Sequence, residues 1–331
     1  MRRFFIVGFI NVVMVVSVSG AAFAQASRQH VGVVSRTLDE LENARKPRAV
    51  VPPAEPRTRP ITKSAHAKEV SRWLDRFSVN VGIGVEHINY KEKMPDYLGV
   101  PGLPLGSKAN VSNMTVDASG EYQFTDNILV GVKAVVPAVK KSGTENWMLS
   151  GILLQTNKLK YGWTRVDVYG GYALAKQQLV FLESLVPYLG VRFSWARQER
   201  YRFVFLGVPQ DLTSTEKIDS RDILVGLRCS WKFADKLDLG MRLECGLPLD
   251  VKVTNTAVPG LDIRDKKGYV CEGMFNGSYK LSSNLALMAK FYFGEMHWYG
   301  SGWKSVPGGS AKWPENYTQY LGFSAGFDYR F

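Results

Sequence analysis

Apolar and polar residues alternate with a period of two from residue 77 to the C-terminus. The pattern is clearest in residues 317–331, where every second position is apolar or aromatic: Leu321, Phe323, Ala325, Phe327, Tyr329 and Phe331. Because successive side chains of a strand point to opposite faces, this segment predicts a strand with one apolar and one polar face. A bulky aromatic residue in last place is unusual for a soluble protein, whose termini are normally solvated.

The same alternation recurs in earlier segments, which are joined by short turns and long polar loops. Strands are expected at 77–86, 114–124, 128–136, 164–174, 187–195, 223–233, 237–247, 269–281 and 285–293. Short turns are expected at 125–127, 234–236 and 282–284, and long loops near 91–110, 139–160, 199–218, 250–266 and 300–316. This succession predicts an all-β fold: an antiparallel up-and-down transmembrane β-barrel of about ten strands, with eight or twelve as alternatives.

The first 24 residues have the organisation of a secretory signal peptide. Arg2 and Arg3 precede an apolar run over 4–18, and Ala22-Phe23-Ala24 resembles a cleavage site. The run is short for a membrane-spanning helix, which needs roughly 20 residues. We therefore expect an exported protein that begins at Gln25 after processing.

Residues 25–76 are basic and proline-rich, and they precede the barrel predicted at 77–331. The segment carries eleven Lys or Arg against six Asp or Glu, within a chain of net charge +12. Its stretch 51–60 favours an extended, solvated chain, whereas 34–44 and 64–76 could form short helices. We expect a largely unstructured periplasmic segment, which serves as a linker or contacts the cell wall.

The C-terminal strand resembles the insertion signal of bacterial outer-membrane β-barrels. That signal has a polar residue, a glycine two positions later, and aromatic residues at the third-last and last positions; here these are Ser324, Gly326, Tyr329 and Phe331, with Phe327 on the same aromatic face. The resemblance, to small barrels of the OmpA type and to porin-like barrels, implies location in the outer membrane of a Gram-negative cell envelope. It also implies lipid and lipopolysaccharide as neighbours and the barrel-assembly machinery as a partner.

Charged residues on the polar phase of the strands are expected to face the lumen. The two signs nearly balance, which predicts a narrow, salt-bridged interior rather than a wide pore. The predicted lumen residues are Glu86, Asp117, Glu121, Lys133, Arg165, Asp167, Arg192, Arg228, Arg242, Glu244, Glu272, Lys290, Asp328 and Arg330.

Three cysteines, Cys229, Cys245 and Cys271, lie on the apolar phase. Their odd count and scattered spacing suit neither a disulfide framework nor a metal site. The sequence favours small lipid-facing residues and leaves a bridge between Cys245 and Cys271 open.

The candidate catalytic residues are few. Among the four histidines, His297 follows Glu295 by two residues at the outer end of a predicted strand. This arrangement weakly resembles the Asp-x-His pair of the ten-stranded omptin proteases, which also need an acidic pair on another loop. Asp-x-Asp occurs nowhere in this chain, and no Ser–His pairing like that of outer-membrane lipases is evident. We therefore expect no complete catalytic constellation, and His297 is read as a residue of the interfacial girdle.

The sequence thus predicts an integral outer-membrane barrel with a structural or surface-interaction role. A small-solute channel and an omptin-like surface hydrolase are the alternatives. No cofactor or metal is expected, peptidoglycan is a further candidate partner through 25–76, and nothing resembles a nucleic-acid-binding module.

Overall fold

Long antiparallel strands make up most of this computed structural model, which describes residues 76–174, 182–265, 267–307 and 309–331. The strands are β1 (Phe77–Met94), β2 (Leu105–Gln123), β3 (Ile128–Lys140), β4 (Ser142–Leu149), β5 (Ile152–Tyr172), β6 (Ser184–Phe205), β7 (Val208–Ala234), β8 (Leu237–Asn255), β9 (Ile263–Asp265), β10 (Gly268–Lys280), β11 (Leu285–Trp298), β12 (Lys304–Val306), β13 (Gly309–Ala311) and β14 (Glu315–Arg330). A 3-10 turn lies at Tyr97–Gly99.

The long strands close into a ring. Each pairs with its sequence neighbours, and β14 pairs with β1 from Ser78 opposite Arg330 to Lys93 opposite Glu315. Strands β3 and β4 form one wall position that is interrupted at Lys141, since both pair with β2 and with β5. The ring therefore has ten wall positions, which confirms the predicted up-and-down barrel and its strand number.

In the half of the barrel that carries the short turns, here called the inner half, the face of the wall that points away from the lumen is apolar. We call this apolar band the belt. On β1, Val81, Ile83 and Val85 are more than half exposed, whereas the inward-facing Asn80 and Glu86 are buried. The belt continues around the ring, and its last outward residues include Trp195 on β6 and Leu321 on β14. Such a band would be unfavourable in water but is what lipid requires. In the described part of the chain, no helix is long and apolar enough to cross a membrane.

For two segments, the prediction of a long loop is wrong. Strands β4 and β5 join at Ser150–Gly151, and β6 and β7 join at Leu206–Gly207, so most of 139–160 and 199–218 is strand. The alternation continues above the belt with its phase reversed: the charged side chains turn outward and the apolar ones inward. On β7, for example, Lys217 is exposed and Ile218 is fully buried.

The outer half of the barrel is consequently filled by a hydrophobic core, here called the apolar plug. It consists of buried side chains from the strands and from the two longer outer connections: Ile88, Tyr90, Ala109, Val111, Leu159, Tyr161, Trp163, Ala196, Ile218, Leu224, Val251, Val253, Leu261, Ile263, Val270, Tyr292, Met296, Trp298, Trp313 and Tyr320. The largest of these, Trp163, Trp298 and Trp313, are almost completely buried. The plug packs like the interior of a soluble domain rather than the wall of a pore.

A disulfide joins Cys245 on β8 to Cys271 on β10. The two residues lie directly opposite each other in the ladder, on the outward face. The bridge that the sequence left open is therefore present, and Cys229 is a free thiol.

Candidate functional site

The inner half of the lumen is organised around Arg192 on β6. Its Nε and one Nη contact the two carboxylate oxygens of Asp167 at 2.7 and 2.9 Å, and the same Nη contacts Glu244 at 2.5 Å. Lys133, from β3, binds Glu272, from β10, across the lumen. A buried guanidinium that binds one carboxylate through two hydrogen bonds and a second carboxylate through one forms strong, charge-assisted contacts. These contacts tie the strands together through the centre of the lumen.

Two further ion pairs lie beside this centre. Arg165 donates to Glu86 at 2.6 Å, and its guanidinium lies 4.3 Å from the ring centre of Trp163 and 4.6 Å from that of Tyr320. Lys290 pairs with Asp117. The aromatic rings around Arg165 mark the boundary where the polar interior meets the apolar plug.

The inner end holds the remaining pairs. Arg228 binds Glu121, which also accepts from the Tyr169 hydroxyl at 2.6 Å. Arg242 contacts Glu244 at 2.7 Å. Of the residues predicted to face the lumen, Asp328 and Arg330 stand apart: they pair with each other at 3.4 Å, and the Arg330 side chain is largely exposed.

The lumen network pairs six cations with six carboxylates, and Asp222, which is buried opposite Arg192 in the ladder, is a further acid beside it. The term covers the six cations and six carboxylates just described: Lys133, Arg165, Arg192, Arg228, Arg242, Lys290, Glu86, Asp117, Glu121, Asp167, Glu244 and Glu272. A cavity beside Lys133, Arg165 and Lys290 measures only about 10 Å³, which is about the space that one water needs. This cavity therefore has room for about one water molecule among the paired side chains of Lys133, Arg165 and Lys290.

A second buried charge cluster, which the alternation of the chain did not predict, lies within the outer half. Arg200 on β6 contacts Glu92 at 2.7 Å and Glu145 at 2.8 Å. Asn157 donates to Glu145 at 2.8 Å, and the Tyr90 hydroxyl donates to Glu92. Glu92, Glu145, Asn157 and Arg200 lie in segments that were predicted to be loops. The sequence contained one sign of this cluster: Glu92 lies an even number of residues after Glu86 on β1, so both side chains point inward.

This cluster has more carboxylates than cations. A third buried acid, Glu216, accepts from Trp313 Nε1 at 3.4 Å and from Asn255 Nδ2 at 3.3 Å. Burial raises the pKa of Glu92 to about 7 and also raises the pKa of Glu216. Burial would raise the pKa of Glu145 as well, but the charge and hydrogen bond of Arg200 hold it below its usual value. One arginine thus keeps one of the three acids firmly ionised.

His297 lies on the outer wall above the belt, but its partner differs from the expected one. Its Nε2 contacts Glu315 at 2.7 Å, and its ring stacks on Tyr317 with centroids 3.8 Å apart. Glu295 instead accepts from the Tyr269 hydroxyl at 2.5 Å and from Gln319 at 2.7 Å, and these hydrogen bonds lower its pKa. The Glu295-x-His297 spacing therefore does not create a catalytic pair.

The outer wall also carries a Ser–His contact that the sequence analysis did not find. His87 Nδ1 and Ser112 Oγ lie 3.0 Å apart on neighbouring strands, with His87 exposed. Among the described residues, the other ring nitrogen has no hydrogen-bond partner to orient the ring, as a nucleophile–base arrangement needs. Likewise, no three His, Cys, Asp or Glu side chains of the described chain are placed to hold a metal ion.

The C-terminal residues close the barrel. Ser324 is buried on the inward face, and the Phe331 ring lies 5.6 Å from that of Phe77. Gly326 lies directly opposite Gly82, where an added Cβ would come within 2.0 Å of the Val81 carbonyl oxygen. The close contact between β1 and β14 therefore requires a glycine at this position. This structural reason is independent of any role of Gly326 in the insertion signal.

The chain has the fold of the outer-membrane β-barrel proteins. The outer-membrane protease OmpT of Escherichia coli aligns with 78% of this chain and 97% of its own at a TM-score of 0.62 and 11% identity. The translocator domain of the autotransporter NalP of Neisseria meningitidis aligns with 82% of this chain and 98% of its own (TM-score 0.30, 13% identity). The outer-membrane protein OprG of Pseudomonas aeruginosa aligns with 77% and 95% (TM-score 0.29, 13% identity). No protein-family model and no curated protein sequence matches the chain.

The closed ring, its apolar belt and this fold place the protein in the outer membrane. At such low identity the likeness to the protease concerns the fold alone, and the activity has to be argued from the residues of this chain.

Proposed function

We propose that this protein is a non-conducting outer-membrane barrel with a structural or surface-interaction role. The observation that carries the proposal is the filled lumen: a paired charge network in the inner half, and the apolar plug with the Arg200 cluster in the outer half. A solute crossing the barrel would have to break the pairs of Arg192 and then displace Trp163 and its neighbours. Leu261 and Trp313, from the two longer outer connections, add to the plug at its outer end.

The alternatives have less support. A small-solute channel needs a continuous open path, whereas the outer half of this barrel is filled by the apolar plug and by the paired side chains around Arg200. A surface hydrolase needs an oriented base and a nucleophile or activated water. Among the described residues, His297 is oriented by Glu315 but contacts no serine, whereas His87 contacts Ser112 but has no orienting partner, so neither site combines the two. The tall outer wall, by contrast, offers a large rigid surface outside the membrane.

Lipopolysaccharide is a proposed partner of this surface. Lys91 and Lys108 lie directly opposite each other on β1 and β2, above the belt. Like charges at directly opposed positions destabilise a sheet, and a phosphate group of the surrounding lipid would neutralise them. Peptidoglycan stays a candidate partner through 25–76. All of this segment except Arg76 lies outside the described residues, as does the predicted signal peptide.

Planar-bilayer recording tests the non-conducting state. We expect the purified protein to insert without discrete conductance steps, and we expect the double variant Arg165→Ala and Arg192→Ala to stay closed because the plug remains. Further truncation of Tyr161 and Trp163 to alanine should allow ions to leak. Regular nanosiemens-scale steps from the unmodified protein would contradict the proposal.

A further inference from the structure

Three neighbouring hairpin tips at the outer end expose a row of apolar side chains. We call this row the crest; it consists of Val100, Met148, Ile152, Leu153, Leu206 and Val208, each between 38% and 72% exposed. On β6 the outward residues between the belt and the crest are polar or amphipathic, among them Arg197, Glu199 and Tyr201. Eleven residues separate Trp195 from Leu206, about 35 Å along the strand. The crest is therefore separate from the belt that contacts the protein's own membrane.

Backbone hydrogen bonds hold the three tips in one arrangement. The Ser150 amide donates to the Pro104 carbonyl at 2.9 Å, which joins the β4–β5 tip to the β1–β2 connection. The Leu206 amide donates to the Leu154 carbonyl at 3.0 Å, which joins the β6–β7 tip to β5. The crest is thus a fixed surface rather than three independent loops.

Leu206 occupies a backbone conformation that disfavours leucine. Its φ is 46° and that of Gly207 is 84°, so both central residues of the hairpin turn have positive φ. Asparagine, aspartate or glycine are the residues that such a turn prefers, because a larger side chain meets the backbone there. A leucine that is strained and 65% exposed to water stabilises neither the turn nor the core. A binding role accounts for both features.

A cationic patch lies just below the crest on the same hairpins. Lys160 Nζ and the Arg202 guanidinium lie 5.6 and 5.9 Å from the Tyr201 ring centre, and Lys158 is the ladder partner of Tyr201. Of the acids nearby, Glu199 is paired with Arg197, and Asp211 is exposed on β7. Arg202 is four residues from Leu206, about 13 Å along the strand. Apolar tips followed by cations match the order of acyl chains and anionic headgroups in a bilayer.

We propose that the crest inserts into an anionic phospholipid bilayer apposed to the cell surface. Leu206, Ile152 and Leu153 enter the acyl region, while Arg202, Lys158 and Lys160 bind headgroup phosphates. The proposal deepens the surface role proposed above. It is tested separately from conductance, so either can fail alone.

Co-sedimentation with lipid vesicles tests the proposal. The full-length protein is held in phosphatidylcholine nanodiscs and mixed with vesicles, and the amount of protein bound to the vesicles is measured. We expect binding to phosphatidylcholine vesicles that contain phosphatidylglycerol, and much less binding to vesicles that lack it. Leu206→Asn should weaken binding roughly tenfold, since it removes one buried leucine's transfer free energy. Asparagine suits the positive φ, so this variant should fold at least as well. Ile152→Asn serves as a second crest variant.

Two controls assign the effect to the crest and its patch. Trp303→Asn removes an exposed apolar side chain from the β11–β14 connection and should leave binding unchanged. Replacing Lys158, Lys160 and Arg202 by glutamine should abolish the preference for phosphatidylglycerol. Absence of vesicle binding, binding indifferent to Leu206→Asn and Ile152→Asn, or pairing of nanodiscs through a second copy of the chain would each overturn the proposal.

Discussion

At the scale of single residues, two neighbouring acids that share Arg200 have opposite pKa shifts. Glu92 and Glu145 both contact its guanidinium and both are buried. Burial raises the pKa of Glu92 to about 7, whereas Arg200 holds the pKa of Glu145 down. The folded protein therefore favours the neutral form of Glu92 and the ionised form of Glu145.

The two acids predict opposite pH effects on stability. The pKa of Glu92 is higher in the folded than in the unfolded chain (about 7 against 4.5). Its contribution is complete at acidic pH and is lost as the pH rises towards 7. Glu145 contributes above its unfolded pKa and loses that contribution as the pH falls.

Glu92→Gln should therefore stabilise the folded barrel at pH 7.5, by on the order of 1 to 3 kcal/mol. It should also flatten the fall in stability between about pH 5 and 7. Glu145→Gln, the matched control, should destabilise at pH 7.5 because it leaves Arg200 underpaired. Urea unfolding followed by the gel-mobility difference between folded and unfolded barrel measures both. Destabilisation by Glu92→Gln at pH 7.5 would show that Glu92 is needed as a carboxylate.

At the scale of elements, the strands fit together by placing tyrosines over glycines. Tyr188 lies opposite Gly226, and Tyr292 lies opposite Gly322. In each case the tyrosine ring occupies the space that a Cβ on the glycine would need. The inward alternation of large and small residues therefore locks the register between neighbouring strands.

The seam between β1 and β14 gives a prediction about Gly326. We expect Gly326→Ala to destabilise the barrel by about 1 to 3 kcal/mol, because the new Cβ would crowd the Val81 backbone. Gly120→Ala on β2 is the control, since its Cβ would meet nothing closer than 3.6 Å.

Folding Gly326→Ala into detergent micelles without other proteins separates the two explanations for this glycine. A defect in micelles supports the seam. A defect only in cells, with normal folding in micelles, would instead assign Gly326 to recognition by the assembly machinery.

At the scale of the whole molecule, the barrel is a lipid-facing ring at its inner end and resembles a soluble domain at its outer end. The phase of alternation reverses where the wall leaves the lipid, so the apolar side chains move from the outside to the inside. The plug thereby gains the hydrophobic stabilisation of a water-soluble core.

Thiol labelling on intact cells tests this reversal, with Cys229→Ser to remove the free thiol. Lys217→Cys should react with a membrane-impermeant maleimide, because Lys217 is exposed on the outer wall. Ile218→Cys should be protected, because Ile218 is fully buried in the plug. Rapid labelling of both positions would indicate a water-filled lumen.

Much of the architecture followed from the chain itself. The period of two, the short turns and the terminal Phe331 predicted a ten-stranded barrel, because a wall with lipid on one side must alternate. The polar phase also identified Arg192, Asp167 and Glu244 as lumen residues, since inward charges interrupt an apolar pattern. The outer parts of the strands were not predicted, because apolar side chains were expected only on the outward face of the wall. Glu92, Glu145 and Arg200 lie in these parts and were therefore not predicted as a cluster.

What the sequence determined by itself is local: which segments are strands, and which side chains alternate on each strand. Tertiary structure decided which residues meet. It paired Cys245 with Cys271, joined His297 to Glu315 rather than to Glu295, and gathered three acids around Arg200. These contacts depend on ring closure and on the register between strands that are distant in sequence. The pattern within one strand does not contain that information, because it shows only which side chains share a face of that strand.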